Sequence, residues 1–188
     1  MKKWFIPIIV IAVIAFGIYR WAVGFNNQAV GLEADAKTAW SNVESAYQRR
    51  NDLIGNLVKT VQGAADFERE TLTQVIEARA KATATTIDAT QAQAGLSGAL
   101  SKLLLVVERY PDLKANLNFL SLQSQLEGTE NRINVARDRY NETVNTYDIH
   151  IRTFPNKILA GWFGFSAMES YKSDPGSENA PEVNFDFN

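Results

Sequence analysis

The sequence predicts an all-α fold, in which an N-terminal transmembrane helix leads into an antiparallel up-and-down bundle of about four long helices. Three observations carry that expectation. Residues 4–25 are a nearly unbroken apolar run. The stretch from Ala115 to Phe154 holds no proline and a single glycine, Gly128, and would make a helix roughly 60 Å long. Residues 29–61 and 133–154 place apolar or large side chains at alternating steps of three and four, the heptad seam of a helix packed on other helices.

Taken in order, Met1-Lys2-Lys3 is a short basic start. Trp4 to Phe25 follows, about 22 residues, long enough to cross a hydrocarbon core of about 30 Å. Arg20 interrupts the run near its end, where its head reaches the interface, and Trp4, Trp21 and Phe25 bracket it as interfacial anchors. Pro7 falls in the first turns, where it is tolerated. The length of the run and its flanks fit an uncleaved signal anchor better than a cleaved signal peptide. Lys2, Lys3 and the terminal amine outweigh Arg20, which keeps the N-terminus cytoplasmic and puts the bundle on the periplasmic or extracytoplasmic side. That makes a single-pass protein of the inner (cytoplasmic) membrane.

The next seam reads Ala29, Glu33, Ala36, Trp40, Val43, Tyr47, Arg50, Ile54, Leu57, Val61. No proline separates it from the membrane span, so one helix can serve as both, with Gly24 and Gly31 as places for a bend. A second helix is expected over 64–94, with Leu72, Val75, Ile76 and Ile87 as its apolar face. Gly95 and Gly98 are read as a turn, and Leu96 to Tyr110 as a short apolar third helix. Pro111 stops that helix and opens the next. The long helix then carries the seam Ile133, Arg137, Tyr140, Val144, Tyr147, Ile151, Phe154. Pro155 ends it. The aromatic segment after it, bent at Gly161 and Gly164, should fold back on the bundle or lie in the membrane surface. Residues 173–188 contain no Lys or Arg and read as a disordered acidic tail. The expected divisions are therefore 1–25 anchor, 26–172 helical bundle and 173–188 tail.

Composition removes most chemistry. There is no cysteine, so disulfides, thiolate catalysis and cysteine zinc sites all fall away. There is one histidine, His150, and the residue three before it is Tyr147, so the Glu-x-x-His pairs of di-iron bundles are missing. No metal, cofactor or catalytic residue is expected. A net charge of −2 gives no reason to expect nucleic acid.

Two groups of residues stand out instead. Arg50 and Arg137 occupy seam positions otherwise held by apolar or aromatic groups, and Glu130 lies on the same seam three before Ile133. A buried charge must be paired. Either Glu130 pairs with Arg50 inside the bundle and fixes helix register, or the arginine stems lie over an apolar groove with their heads in water. The second group is Trp162, Phe163 and Phe165, which form a membrane-surface or partner patch, unless Ile158, Leu159, Trp162 and Phe163 close the end of the core. The absence of Lys or Arg within GWFGF favours closure.

These residues carry a resemblance. AYQRRNDLIGNLVKTVQGAADFERETL (46–72), LLLVVERYPDLKANLNFLSLQSQLEGTENRINVARDRYNETVNTY (103–147) and FPNKILAGWFGF (154–165) together resemble the LemA family of bacterial membrane proteins. The resemblance covers nearly the whole chain short of the tail. It implies an N-terminal transmembrane helix, a bundle of about four helices, and no agreed enzymatic activity. Relatives are associated with cell-envelope roles, and one branch with magnetosome membranes. Gly55 stands where the family more often has proline, which leaves the first long helix less bent.

The function expected from this is non-enzymatic: a membrane-anchored scaffold or adaptor of the cell envelope that self-associates. Its partners would be the lipid bilayer, further copies of itself, and other membrane or envelope proteins. The alternative is a sensor or ligand-binding module that uses a groove of the bundle, marked by a preformed pocket of several hundred Å3.

Overall fold

The computed structural model describes residues 5–64, 67–82 and 90–172. The described residues hold six helices and no strand: α1 (Phe5–Gln62), α2 (Arg69–Ala82), α3 (Thr90–Val107), α4 (Pro111–Lys114), α5 (Leu117–Arg152) and α6 (Asn156–Phe163). The fold is all-α, as the seams require. Helix α1 is continuous from the apolar run to the end of its seam. The expected tail at 173–188 lies outside the described residues, as do Trp4 and residues 83–89 of the expected second helix.

The chain divides into two compact units. One joins residues 1–42 to 136–170, and the other joins 43–135 to 171–188. In the second unit the core is a four-helix arrangement. Ile54, Leu57 and Val61 of α1 meet Leu72 and Val75 of α2, Leu96 and Leu103 of α3, and Phe119 of α5. Each such side chain, fully buried, contributes about 1.5–3 kcal/mol. Helix α4 closes one end through Leu113.

The boundaries have local causes. Pro111 is at N1 of α4, where its missing N–H costs nothing. Asn116 caps α5: its Oδ1 accepts from the N–H groups of Asn118 (2.9 Å) and Phe119 (3.2 Å), two of the donors a helix start leaves unpaired. Gly55 allows a close crossing, because a Cβ there would meet Arg79 Nη2 at 3.1 Å. The Nε of that arginine donates to the Asn51 carbonyl of α1 (2.9 Å).

The expected division of residues 64–110 needs correcting. Among the described residues α2 runs to Ala82 and α3 is already helical from Thr90, so Gly95 and Gly98 lie inside α3 and make no turn. Burial of Gln93, Leu96 and Leu103 on one face outweighs the weak helix propensity of the two glycines. Gly161 likewise sits within α6, and only Gly164 bends the chain there. It adopts φ 79°, ends α6 in the left-handed conformation, and lets the Phe165 N–H reach the Ala160 carbonyl (3.0 Å).

In the first unit, α1, α5 and α6 pack together. Phe25 and Ala29 meet Tyr147 and Ile151 of α5 and Leu159 and Ala160 of α6. Before Ala22, α1 is bare: Ile6, Ile11 and Phe16 are 65–68% exposed. Among the described residues this is the one helix long and apolar enough to cross a membrane.

Candidate functional site

Two places in the molecule hold the side chains singled out by the sequence. The first is a buried polar cluster in the second unit. Arg50 is 2% exposed. Its Nη1 donates to Glu130 Oε2 at 2.9 Å and to Ser97 Oγ at 3.5 Å, and its Nη2 donates to Gln93 Oε1. Its guanidinium also lies 5.3 Å from the ring centroid of Tyr47. Arg50 Nε has no hydrogen-bond partner among the described residues. Gln93 in turn donates to the Ala82 carbonyl (3.0 Å), so it links α1 and α3 to the end of α2. The Glu130 side chain is 45% exposed and half solvated. The structure thus brings Arg50 and Glu130 together. Arg137 belongs to the other unit, where it is half-buried on α5.

Gln93 was not singled out by the sequence reading, although the signal was present. Gln93, Leu96, Leu100, Leu103 and Val107 step by three and four, the same seam rule that picked out Arg50.

The second place is the end of the first unit where α1 leaves its apolar run. The Phe25 ring stacks on His150 (centroids 5.1 Å apart) and Phe163 (6.3 Å), and meets the edge of Phe165 (5.9 Å). His150 is half-buried, and its Nε2 has no hydrogen-bond partner among the described residues. The reading in which Ile158, Leu159, Trp162 and Phe163 all close the core holds for Leu159 and in part for Phe163, whose ring stacks on Phe25. Ile158 and Phe163 are about half exposed and Trp162 is 82% exposed. An eight-residue helix has one inward face, and Leu159 and Ala160 fill it.

Beyond Gly164 the chain runs back along α5, held by tyrosines. Tyr147 donates to the Ser166 carbonyl (3.0 Å) and Tyr140 to that of Glu169 (2.8 Å), while Asp148 accepts from the Met168 N–H (3.0 Å). Burial, and then the charge of Glu169, raises the Tyr140 pKa above the ordinary phenol value. Tyr147 is raised by burial first, then by Glu33 and Asp148. Both phenols therefore remain donors throughout the physiological range.

A shallow groove of about 510 Å3 runs between α1 and α2, lined by Asp52, Gly55, Asn56, Lys59, Ile76 and Arg79 among others. The described residues contain no cluster of three or more His, Cys, Asp or Glu placed to hold a metal ion.

The sequence profile of the LemA family matches residues 39–185, which takes in both arms of the second unit and the α5–α6 part of the first. The chain belongs to the LemA family. Its relatives include two kinds of protein. Magnetosome protein MamQ 2 of Paramagnetospirillum magneticum is 26% identical over 90% of this chain and 71% of its own length. Magnetosome protein MamQ of Magnetospirillum gryphiswaldense is 25% identical over 81% of this chain and 66% of its own. Protein LemA of Metamycoplasma hominis is 25% identical over 79% of this chain and 69% of its own. None of these names states a reaction. The LemA profile begins at Ala39, past the apolar run, whereas the alignment with MamQ 2 takes in 90% of the chain.

Proposed function

We propose that this LemA-family chain is a membrane-anchored, non-enzymatic scaffold or adaptor of the cell envelope, and that it self-associates. One observation carries the reading. The bare apolar start of α1 continues without a break into the helix whose seam builds the protein's cores. Anchor and bundle are thus one element, and a cytoplasmic-side N-terminus would put residues 26–172 outside the cytoplasm. Copies held in one membrane meet at raised effective concentration, so weak contacts suffice for assembly. Exposed Leu105 and Leu117 supply apolar contact points in the second unit. The magnetosome names of two relatives support a role at a membrane.

The test is the mass of the intact protein in detergent and in lipid nanodiscs, by light scattering. Oligomers are expected, and a monomer that captures no partner overturns the scaffold reading.

A second reading, a ligand-binding module, draws support from the groove between α1 and α2. Its volume is that of a small-molecule site, and Asp52, Lys59 and Arg79 give it polar groups of both signs.

A further inference from the structure

We propose that the outer face of α6 lies in the headgroup layer of the same bilayer that α1 enters, giving the protein a second, peripheral membrane contact. The inference rests on the anchor reading above and adds to it. Phe25 is the last residue of the apolar run and is already buried among protein side chains, so it lies just past the level at which α1 leaves hydrocarbon. Helix α6 packs on that ring, with Leu159 and Ala160 in the same core and Phe163 stacked at 6.3 Å. A headgroup layer is about 5–7 Å thick on each side. Helix α6, packed in the same core as Phe25, therefore begins at the level of that layer.

The exposed chemistry fits that layer. Phe154 (79% exposed), Ile158 (50%) and Trp162 (82%) follow one another at steps of four. This is an apolar stripe turned away from the core, on the turn and helix nearest the membrane. Tryptophan favours the interface, where an apolar body and a polar neighbourhood meet, and phenylalanine is common on the inserted face of interfacial helices. The charges agree. No Asp or Glu occurs between Asp148 and Glu169, and none precedes Glu33. The exposed charges at this end are Arg20, Arg152 and Lys157, all cationic. An end of a domain that is rich in aromatics and whose exposed charges are basic is complementary to phospholipid headgroups.

The cysteine-free chain permits a direct test. Trp162→Cys and, separately, Ile158→Cys are labelled with a nitroxide in the full-length protein in phospholipid nanodiscs. Collision rates with oxygen and with a neutral nickel chelate are then compared. Ile11→Cys serves as the hydrocarbon reference and Glu142→Cys as the aqueous one. The oxygen-to-nickel ratio at 162 and 158 should be several-fold above that at 142 and below that at 11. A ratio at both positions equal to that at 142 overturns the inference and leaves the anchor standing. Suppressed collision with both reagents means that a second copy or another protein covers α6, which also overturns it. If Ile11 itself matches Glu142, the anchor reading fails, and the inference with it.

Discussion

Arg50 offers the sharpest test of how the second unit is held together. Glu130→Ala removes the carboxylate 2.9 Å from Nη1 and leaves a guanidinium that is 2% exposed. Before screening, a pair at that distance is worth on the order of 5 kcal/mol at an effective dielectric of 20. Glu130 is 45% exposed, so water competes for it and enters when it is gone, and Gln93 still holds Nη2. The expected loss is therefore about 2 kcal/mol, well short of the 3–5 kcal/mol for a fully buried pair. For a chain of this length that is a fall in Tm of roughly 4–8 °C. Arg50→Met should behave differently. It fills similar volume, removes the buried charge and lets Glu130 turn to water, but it leaves the buried Gln93 Oε1 without this donor, at a cost of about 1–3 kcal/mol. On the Arg50→Met background, Glu130→Ala should then cost less than about 0.5 kcal/mol. The assay is a double-mutant cycle by thermal circular dichroism in detergent. Equal losses from Glu130→Ala on both backgrounds would refute the idea that its role is to compensate Arg50.

Two further outcomes concern the first unit. Gly164→Ala places a side chain at φ 79° with no atom within 4 Å of the new Cβ, so the cost is conformational only, about 1–2 kcal/mol. Gly161→Ala, inside α6 and equally unobstructed, should instead stabilise by up to about 1 kcal/mol, and a matching loss at both sites in thermal melts would show that the left-handed cap is not the cause. The raised phenols of Tyr140 and Tyr147 set an alkaline limit. Below the unfolded phenol value of about 10 both states are protonated and stability is constant; above it the unfolded chain ionises first, and stability falls until the native phenols ionise too. A Tm series from pH 8 to 11 should show that fall, and Tyr140→Phe with Tyr147→Phe should flatten it; an unchanged slope would assign it to other groups.

What could be read from the sequence was whatever repeats along a seam. Val43, Tyr47, Ile54, Leu57 and Val61 on α1, and Ile133, Tyr140, Val144, Tyr147 and Ile151 on α5, are all buried where the spacing puts them. The seam stops at Phe154, which is 79% exposed, because α5 ends at Arg152 and the side chain past the end has no helix to face. The α2–α3 region was less legible. Gly95 and Gly98 look like a turn locally, and only the burial of Gln93 and Leu96 against other helices decides otherwise. The partner of Arg50 was legible in part: Glu130 shares its seam rule, whereas Gln93 required the true start of α3. The outward stripe of α6 was not legible, since eight residues are too few for periodicity to tell an inner face from an outer one.

The tyrosines of α5 have a consequence for how this chain can change. Tyr140 and Tyr147 grip the segment after α6 by its carbonyl oxygens, and Asp148 grips it by an N–H. Every residue type offers that carbonyl, and every type but proline offers that N–H. The path of residues 164–170 is thus written in α5, and the side chains at Ser166 and Glu169 remain open to replacement without rerouting the chain.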